Sequence, residues 1–193
     1  MSINQPDRVT ERTRRAFLNA AAELIMERGY DGVSVADITR RADYGRSTFY
    51  LHYADKDALA WDMVRYHMQL LDERIAARIE GMESPARLWH AWHIIFAEVD
   101  AQRPFYLKLY SPSSRLWQIQ KVYLNEHFGQ QLRDGYYSLH NEAVPPEIGA
   151  RFVVGALLEI AEYWLQHPEV GDAVTMTNHL FRLVFRREFK PST

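Results

Sequence analysis

The sequence predicts an all-α protein of about nine helices: a small N-terminal domain over residues 1–54 and a larger helical body over residues 55–193. Three observations carry that prediction. Apolar residues recur with a helical period almost throughout, and no stretch sustains the two-residue alternation of a strand. Residues that start or stop helices punctuate the chain: Ser34 and Asp55 as N-caps, Gly29 as a C-cap, and Pro104, Pro112, Pro145, Pro146 and Pro168 beside starts or ends. Gly81 and Pro85 mark a joint in the body.

Taken in order, the first helix spans about residues 9–28, with Phe17, Ala20, Ala21, Leu24 and Ile25 as one apolar stripe. Gly29 supplies the left-handed residue that ends it, and Tyr30-Asp31-Gly32 turns the chain. The second helix begins at Ser34, with Asp37 as the acidic half of a capping box and Val33 and Ile38 as a hydrophobic staple. It ends near Ala42, Asp43-Tyr44-Gly45 form a tight turn, and a third short helix covers 46–52. A long fourth helix follows from Asp55 to about Glu80. The remaining helices are predicted at about 85–101, 104–111, 114–140, 146–167 and 172–188.

Composition excludes several kinds of chemistry. The chain has no cysteine, which removes disulfides, thiolate nucleophiles and Cys-ligated zinc. The first residues lack the apolar core of a secretory signal, and no apolar run approaches a membrane span, so a soluble, cytoplasmic protein is expected. No Ser-His-Asp order, phosphate-binding loop or dinucleotide fingerprint appears, so neither an enzyme nor a cofactor is expected. Net charge is only −2, but Arg8, Arg12, Arg14, Arg15, Arg40, Arg41, Arg46 and Lys56 concentrate in the first third of the chain. Such a cluster is either a solvated face or a local patch for phosphate.

Residues 34–52 have the plan of a helix-turn-helix: a bracing helix, a tight turn and a second helix able to enter a major groove. Ile38, Ala42, Tyr44 and Phe49 can form its shared core, which leaves Arg46, Ser47, Thr48, Tyr50, Leu51 and His52 exposed. Arg46 can donate two hydrogen bonds to guanine. Ser47, Thr48 and Tyr50 can donate to phosphate oxygens, and Lys56 stands in the first turn of the fourth helix, where backbone amides already favour an anion.

The run Gly29-Tyr30-Asp31-Gly32-Val33-Ser34-Val35-Ala36-Asp37-Ile38, then Ala42, then Arg46-Ser47-Thr48-Phe49-Tyr50-Leu51-His52-Tyr53, then Lys56-Asp57-Ala58-Leu59, resembles the DNA-binding domain of the TetR family. The resemblance covers roughly residues 12–60. It implies that Arg46 reads a base, that Thr48, Tyr50 and Lys56 hold phosphates, that Ser47 and His52 contact DNA, and that Ser34 and Val35 touch the backbone at the start of the bracing helix. Two positions depart from the pattern. Asp43 stands where the turn usually has Gly, and Gly45 where the recognition helix usually opens with Ser or Thr. Asp tolerates a left-handed conformation, and Gly is an acceptable cap that offers no side-chain bond.

The resemblance further implies a bacterial protein whose body binds a ligand and dimerises through its last two helices. Phe152, Val153, Ala156, Leu157, Ile160 and Trp164 give one apolar face, and Leu180, Leu183, Val184 and Phe185 another, with Gly149, Gly155 and Ala156 allowing close approach. An internal core accounts for those faces equally well. The candidate pocket comprises Trp89, Trp92, His93, Phe96, Tyr106, Tyr110, Trp117 and Tyr123, in a chain with 5 Trp and 11 Tyr whose polar tips need partners; Phe105 and Phe128 lie in the same helices, and plain core is the alternative. A buried carboxylate among Glu98, Glu126, Glu159 and Glu162 would suit a hydrophobic cation. His90 and His93 lie three apart on one helix, but without a third ligand they do not make a metal site. The expected function is a repressor that binds a palindromic DNA operator as a homodimer and is released by a small hydrophobic or aromatic effector, without membrane partners. The alternatives are an activator or ligand-independent regulator of the same fold, or an all-helical enzyme or carrier.

Overall fold

The computed structural model describes residues 8–109, 115–139, 143–186 and 189. Its helices are α1 (Arg8–Arg28), α2 (Val35–Arg41), α3 (Arg46–His52), α4 (Lys56–Ile79), α5 (Ala86–Ala101), α6 (Arg103–Leu109), α7 (Arg115–Arg133), α8 (Pro146–Gln166) and α9 (Ala173–Phe185), with a single 3₁₀ turn at Pro168–Val170. Among the described residues there is no strand.

The N-terminal unit forms through the local signals read from the sequence. Gly29 takes φ 74° and its N–H closes on the Ile25 carbonyl at 2.8 Å. At α2 the Asp37 N–H donates to Ser34 Oγ at 3.2 Å while the Ser34 N–H donates to Asp37 Oδ2 at 3.1 Å, a complete capping box. Asp43 carries the turn at φ 58°, the left-handed conformation that the missing glycine would have given. Phe17 is the centre of this unit: fully buried, it meets the rings of Tyr44 and Phe49 at 5.4 Å and His52 at 6.0 Å. Burying such a ring stabilises by about 2–3 kcal/mol. Ile38 and Phe49 are buried and Ala42 and Tyr44 half-buried against them, so α2 and α3 are one rigid body on α1.

In the body, α8 packs on α7 and α9, α5 packs on α9, and α4 runs between α5 and α7 while still touching α1. Two helices are shorter than their apolar period suggested. The period predicted α7 to residue 140, but it stops at Arg133, where Gly135 at φ 70° lets the Tyr136 N–H reach back to the Gln131 carbonyl at 2.9 Å. α9 ends at Phe185 because Arg186 turns left-handed, at φ 54°.

Candidate nucleic-acid interface and body cavity

The helix predicted to read DNA, α3, is presented with its outer face uncovered. Arg46, Ser47 and Tyr50 are exposed, and Thr48 is half-buried. Leu51 on the same helix is 86% exposed. His52 is half-buried on the edge of Phe17, so its ring is partly held by the core. Ser34 is exposed, but its hydroxyl serves the capping box, and Val35 is half-buried against the core.

The basic cluster divides once its partners are traced. Arg14 binds Asp62, Arg15 binds Glu11 at 2.9 Å, and Arg41 turns back onto Glu23 and Glu27 of α1 at 2.9 Å each. These three arginines therefore do not present free charge. Arg46 makes no ion pair among the described residues. Lys56, expected to hold phosphate, donates to the carbonyls of Tyr30 at 3.0 Å and Val33 at 2.8 Å, and lies 4.2 Å from the centre of the Tyr30 ring. Two of its three donors are thus occupied by the turn that leads into α2, which makes it a clamp in this state.

The start of α4 is bonded to the N-terminal unit and to the body at once. Asp57 accepts from the Tyr30 hydroxyl at 2.6 Å and from Arg115 Nε of α7 at 2.7 Å. One turn on, Asp62 accepts from Arg14 Nε (2.7 Å) and Nη2 (3.0 Å), from Tyr53 Oη (2.8 Å) and from Arg65 Nη2 (2.7 Å). Burial disfavours the Asp62 charge, yet these bonds outweigh it and hold the carboxyl below its usual value. Burial and the neighbouring Asp62 push the Tyr53 phenol the other way, above its usual value.

Inside the body, α4, α5, α7 and α8 enclose a cavity of about 80 Å³. Leu71, Ile75, Leu88, Val99, Leu124, Val153 and Leu158 make most of its wall, with polar atoms from Gln120, His127 and Gln131. Trp92 and Tyr106 line it, as expected. The other candidate pocket residues are distributed differently. Trp89 and His93 belong to a separate surface groove with Arg74, Arg78 and Phe189, where Trp89 stacks on Phe189 at 4.6 Å. Phe96 is core packing against Trp164, Trp117 is buried outside the cavity, and Tyr123 stacks on His127 at 5.6 Å. Tyr110 lies outside the described residues. Glu98 is buried but paired with Arg74 at 2.5 Å, Glu126 and Glu159 are exposed, and none of the four glutamates lines the cavity; the carboxylate that does is Asp72, 2.8 Å from His127 Nε2.

Gln120, His127 and Gln131 did not stand out in the sequence because they are polar. Their spacing with Leu124 and Phe128 on one face of α7 was the available signal.

The candidate dimer residues also divide. Phe152 (59%) and Leu183 (64%) are exposed, and Ala156, Ile160 and Val184 are half-buried. Trp164 and Leu180 are 1% and 0% exposed inside the single subunit. The Trp164 indole N–H donates to the Gly171 carbonyl at 2.7 Å, so both side chains belong to the internal core and not to a mating surface.

Residues 17–62, from the middle of α1 to the second turn of α4, match the sequence model described as bacterial regulatory proteins, tetR family. Over those residues the chain is similar to the DNA-binding domain of the tetR family. Among curated relatives, the chain is 29% identical over 125 residues to the HTH-type transcriptional regulator HbdR of Aromatoleum sp. strain CIB, covering 64% of this chain and 54% of that protein. The match thus spans about half the length of that relative. Whole-chain likeness comes from solved structures. Native NalD of Pseudomonas aeruginosa, described as the secondary repressor of the MexAB-OprM multidrug efflux pump, is 25% identical, with 91% of this chain and 95% of that chain covered at a TM-score of 0.63. FadR of Thermus thermophilus, a TetR-family repressor solved with lauroyl-CoA, is 18% identical, with 93% and 97% covered at a TM-score of 0.65. The second likeness is one of fold. Among the described residues, no helix is long and apolar enough to cross a membrane.

Proposed function

We propose that this TetR-family chain is a transcriptional repressor that binds a palindromic operator as a homodimer and is released when a small hydrophobic or aromatic molecule enters the body. The observation that carries the DNA-binding half is the uncovered face of α3, where Arg46, Ser47, Tyr50 and Leu51 project from a helix anchored through Phe49 to Phe17. Arg46 reads a guanine edge, Ser47, Thr48, Tyr50 and His52 position the helix on phosphates, and Ser34 and Val35 bring α2 to the backbone. Leu51 joins them: an exposed leucine there matches the methyl group of a thymine. On DNA the third donor of Lys56 takes a phosphate.

Release works through α4. Met68, Leu71, Asp72 and Ile75 of α4 form one side of the body cavity, and Lys56, Asp57 and Asp62 of the same helix hold the DNA-binding unit. A ligand that enlarges the cavity displaces α4 and with it the recognition helix. Coupling of about 1–3 kcal/mol is enough to lower operator affinity 5–150-fold. The division of the chain near residues 54 and 55 falls where α4 begins, and α4 serves both parts. Phe152, Leu183 and the half-buried Ala156, Ile160 and Val184 form the surface that pairs with a second subunit, which supplies the two-fold symmetry a palindrome requires.

The test is selection from random duplex DNA by the purified protein at moderate salt. Enrichment of two inverted half-sites, with Arg46→Ala relaxing one position of each at unchanged thermal stability, supports the reading. Uniformly weak binding that Arg46→Ala leaves untouched refutes it.

A further inference from the structure

A second hollow, of about 460 Å³, lies at the joint between the DNA-binding unit and the body. Leu18 and Ala22 of α1 form one side of it, and Met63 and His67 of α4 with Phe105 of α6 form the others. It shares three residues with the body cavity: Met68, Tyr106 and Gln120. These are buried at 7%, 3% and 6% exposure and form the partition between the two spaces.

Two properties of the partition point to a ligand. The side-chain carbonyl of Gln120 is buried without a hydrogen-bond partner among the described residues. Buried polar atoms are almost always paired, so an orphan acceptor at a cavity wall matches an incoming O–H or N–H. The inner cavity alone, at about 80 Å³, is also far below the roughly 300–1,000 Å³ of small-molecule sites, whereas the outer hollow lies within that range. The charged groups on the walls already have partners: Arg15 at the outer wall pairs with Glu11 at 2.9 Å, and Asp72 at the inner wall lies 2.8 Å from His127 Nε2. At the partition, His67 Nε2 lies 3.0 Å from the Tyr106 hydroxyl, and burial favours the neutral imidazole.

We infer that the effector site is bipartite: an elongated, uncharged, largely apolar molecule with a hydroxyl or N–H near its middle lies across the partition, donates to Gln120 Oε1 and touches α1 with its outer half. This rests on the repressor reading and deepens it. A ligand so placed presses directly on α1, at positions flanking the Phe17 and Ala21 that fill the core of the DNA-binding unit. Coupling then has two routes, one through α4 and one by contact.

The probe is N-phenyl-1-naphthylamine, which is uncharged, has an N–H between two aromatic units and fluoresces in apolar surroundings. Its affinity is measured for the full chain and for three variants: Ala22→Trp filling the outer hollow, Leu124→Trp filling the inner cavity, and Gln120→Leu removing the acceptor. Each is expected to weaken binding about tenfold or more. Asn19→Trp, at an exposed position on the same outer wall, repeats the test where Ala22→Trp fails to fold. Unchanged affinity with the outer hollow filled, alongside loss with the inner one filled, overturns the bipartite site and leaves the body cavity as the effector site. Loss with the outer filling alone, or no binding to the unaltered chain, also overturns it. Operator binding by the same proteins is scored separately, and its absence in the unaltered chain defeats the repressor reading whatever the probe does.

Discussion

Replacing Asp62 with Ala removes the acceptor that ties α1, the end of α3 and α4 together. Asp62 is 6% exposed and receives bonds from Arg14, Tyr53 and Arg65. The Arg65 contact, from a side chain 60% exposed, contributes under about 1 kcal/mol. The larger loss comes from what stays behind: the hydroxyl of the buried Tyr53 without an acceptor, about 1–3 kcal/mol, and a mostly buried Arg14 guanidinium. Removing one member of a buried ion pair costs about 3–5 kcal/mol. Arg14 keeps Glu11 at 3.3 Å, which places this case at the lower end, about 3 kcal/mol. For a chain of this length that lowers Tm by about 6–12 °C. The assay is thermal and urea unfolding followed by circular dichroism, at one protein concentration because association shifts Tm. The sign of the pH dependence is also determined. The folded pKa of Asp62 lies below its unfolded value of about 3.9, so its contribution is complete above that value and lost as pH falls through the folded pKa. The variant should therefore lose less stability on acidification below about pH 4. A loss under about 1 kcal/mol with an unchanged urea slope would refute the network as the tie between the two parts.

Gly45 caps α3 at φ −73° with open space where a side chain would stand, so Gly45→Ser should gain a few tenths of a kcal/mol in urea unfolding. Lys56→Met loses two charge-assisted bonds, a cost of about 2 kcal/mol, and amide hydrogen exchange should quicken at residues 30–34 but not in α8. Burial lowers the His67 pKa, Glu98 opposes that and Arg74 adds to it, so the unfolded chain takes up more protons as pH falls through about 6.5. Tm should drop from pH 7.5 to 5.5, and His67→Gln should flatten that slope. An identical slope in the variant would assign the effect elsewhere.

The N-terminal unit was legible because its instructions are local. The Ser34–Asp37 box, the Gly29 cap and the Asp55 cap each act within four residues, and each holds in the structure. Most helix ends fall within a residue of the sequence reading, α3 at His52 and α5 at Ala101 among them. The two that fall furthest short differ in kind: a glycine, Gly135, takes the left-handed turn after α7, whereas Arg186 turns left-handed after α9 with no glycine at all. The body was harder because periodicity groups residues by face without saying what the face meets. Trp89 and Trp92 are one turn apart, yet one lines the surface groove beside α9 and the other the internal cavity. Trp164 and Phe152 lie on one helix, yet only Phe152 is left uncovered. Gln120 was passed over because its role comes from α4 and α6 closing around it, a long-range fact that its own neighbours in sequence do not carry.

The unbroken length of α4 sets the scale of motion that the proposed release needs. Its 24 residues make a rod of about 36 Å at 1.5 Å per residue. Pivoting that rod by about 5° around its far end swings Lys56 through about 3 Å, close to the 3.4 Å step between neighbouring bases. In a symmetric pair the two swings add to about 6 Å, against half-sites some 34 Å apart. Two reading heads set one base step out of register each no longer address the same operator, although every helix stays folded and no contact inside either reading head has broken. On the proposed mechanism the molecule works like callipers: the jaws stay rigid, and a few degrees at the handle decide what they span.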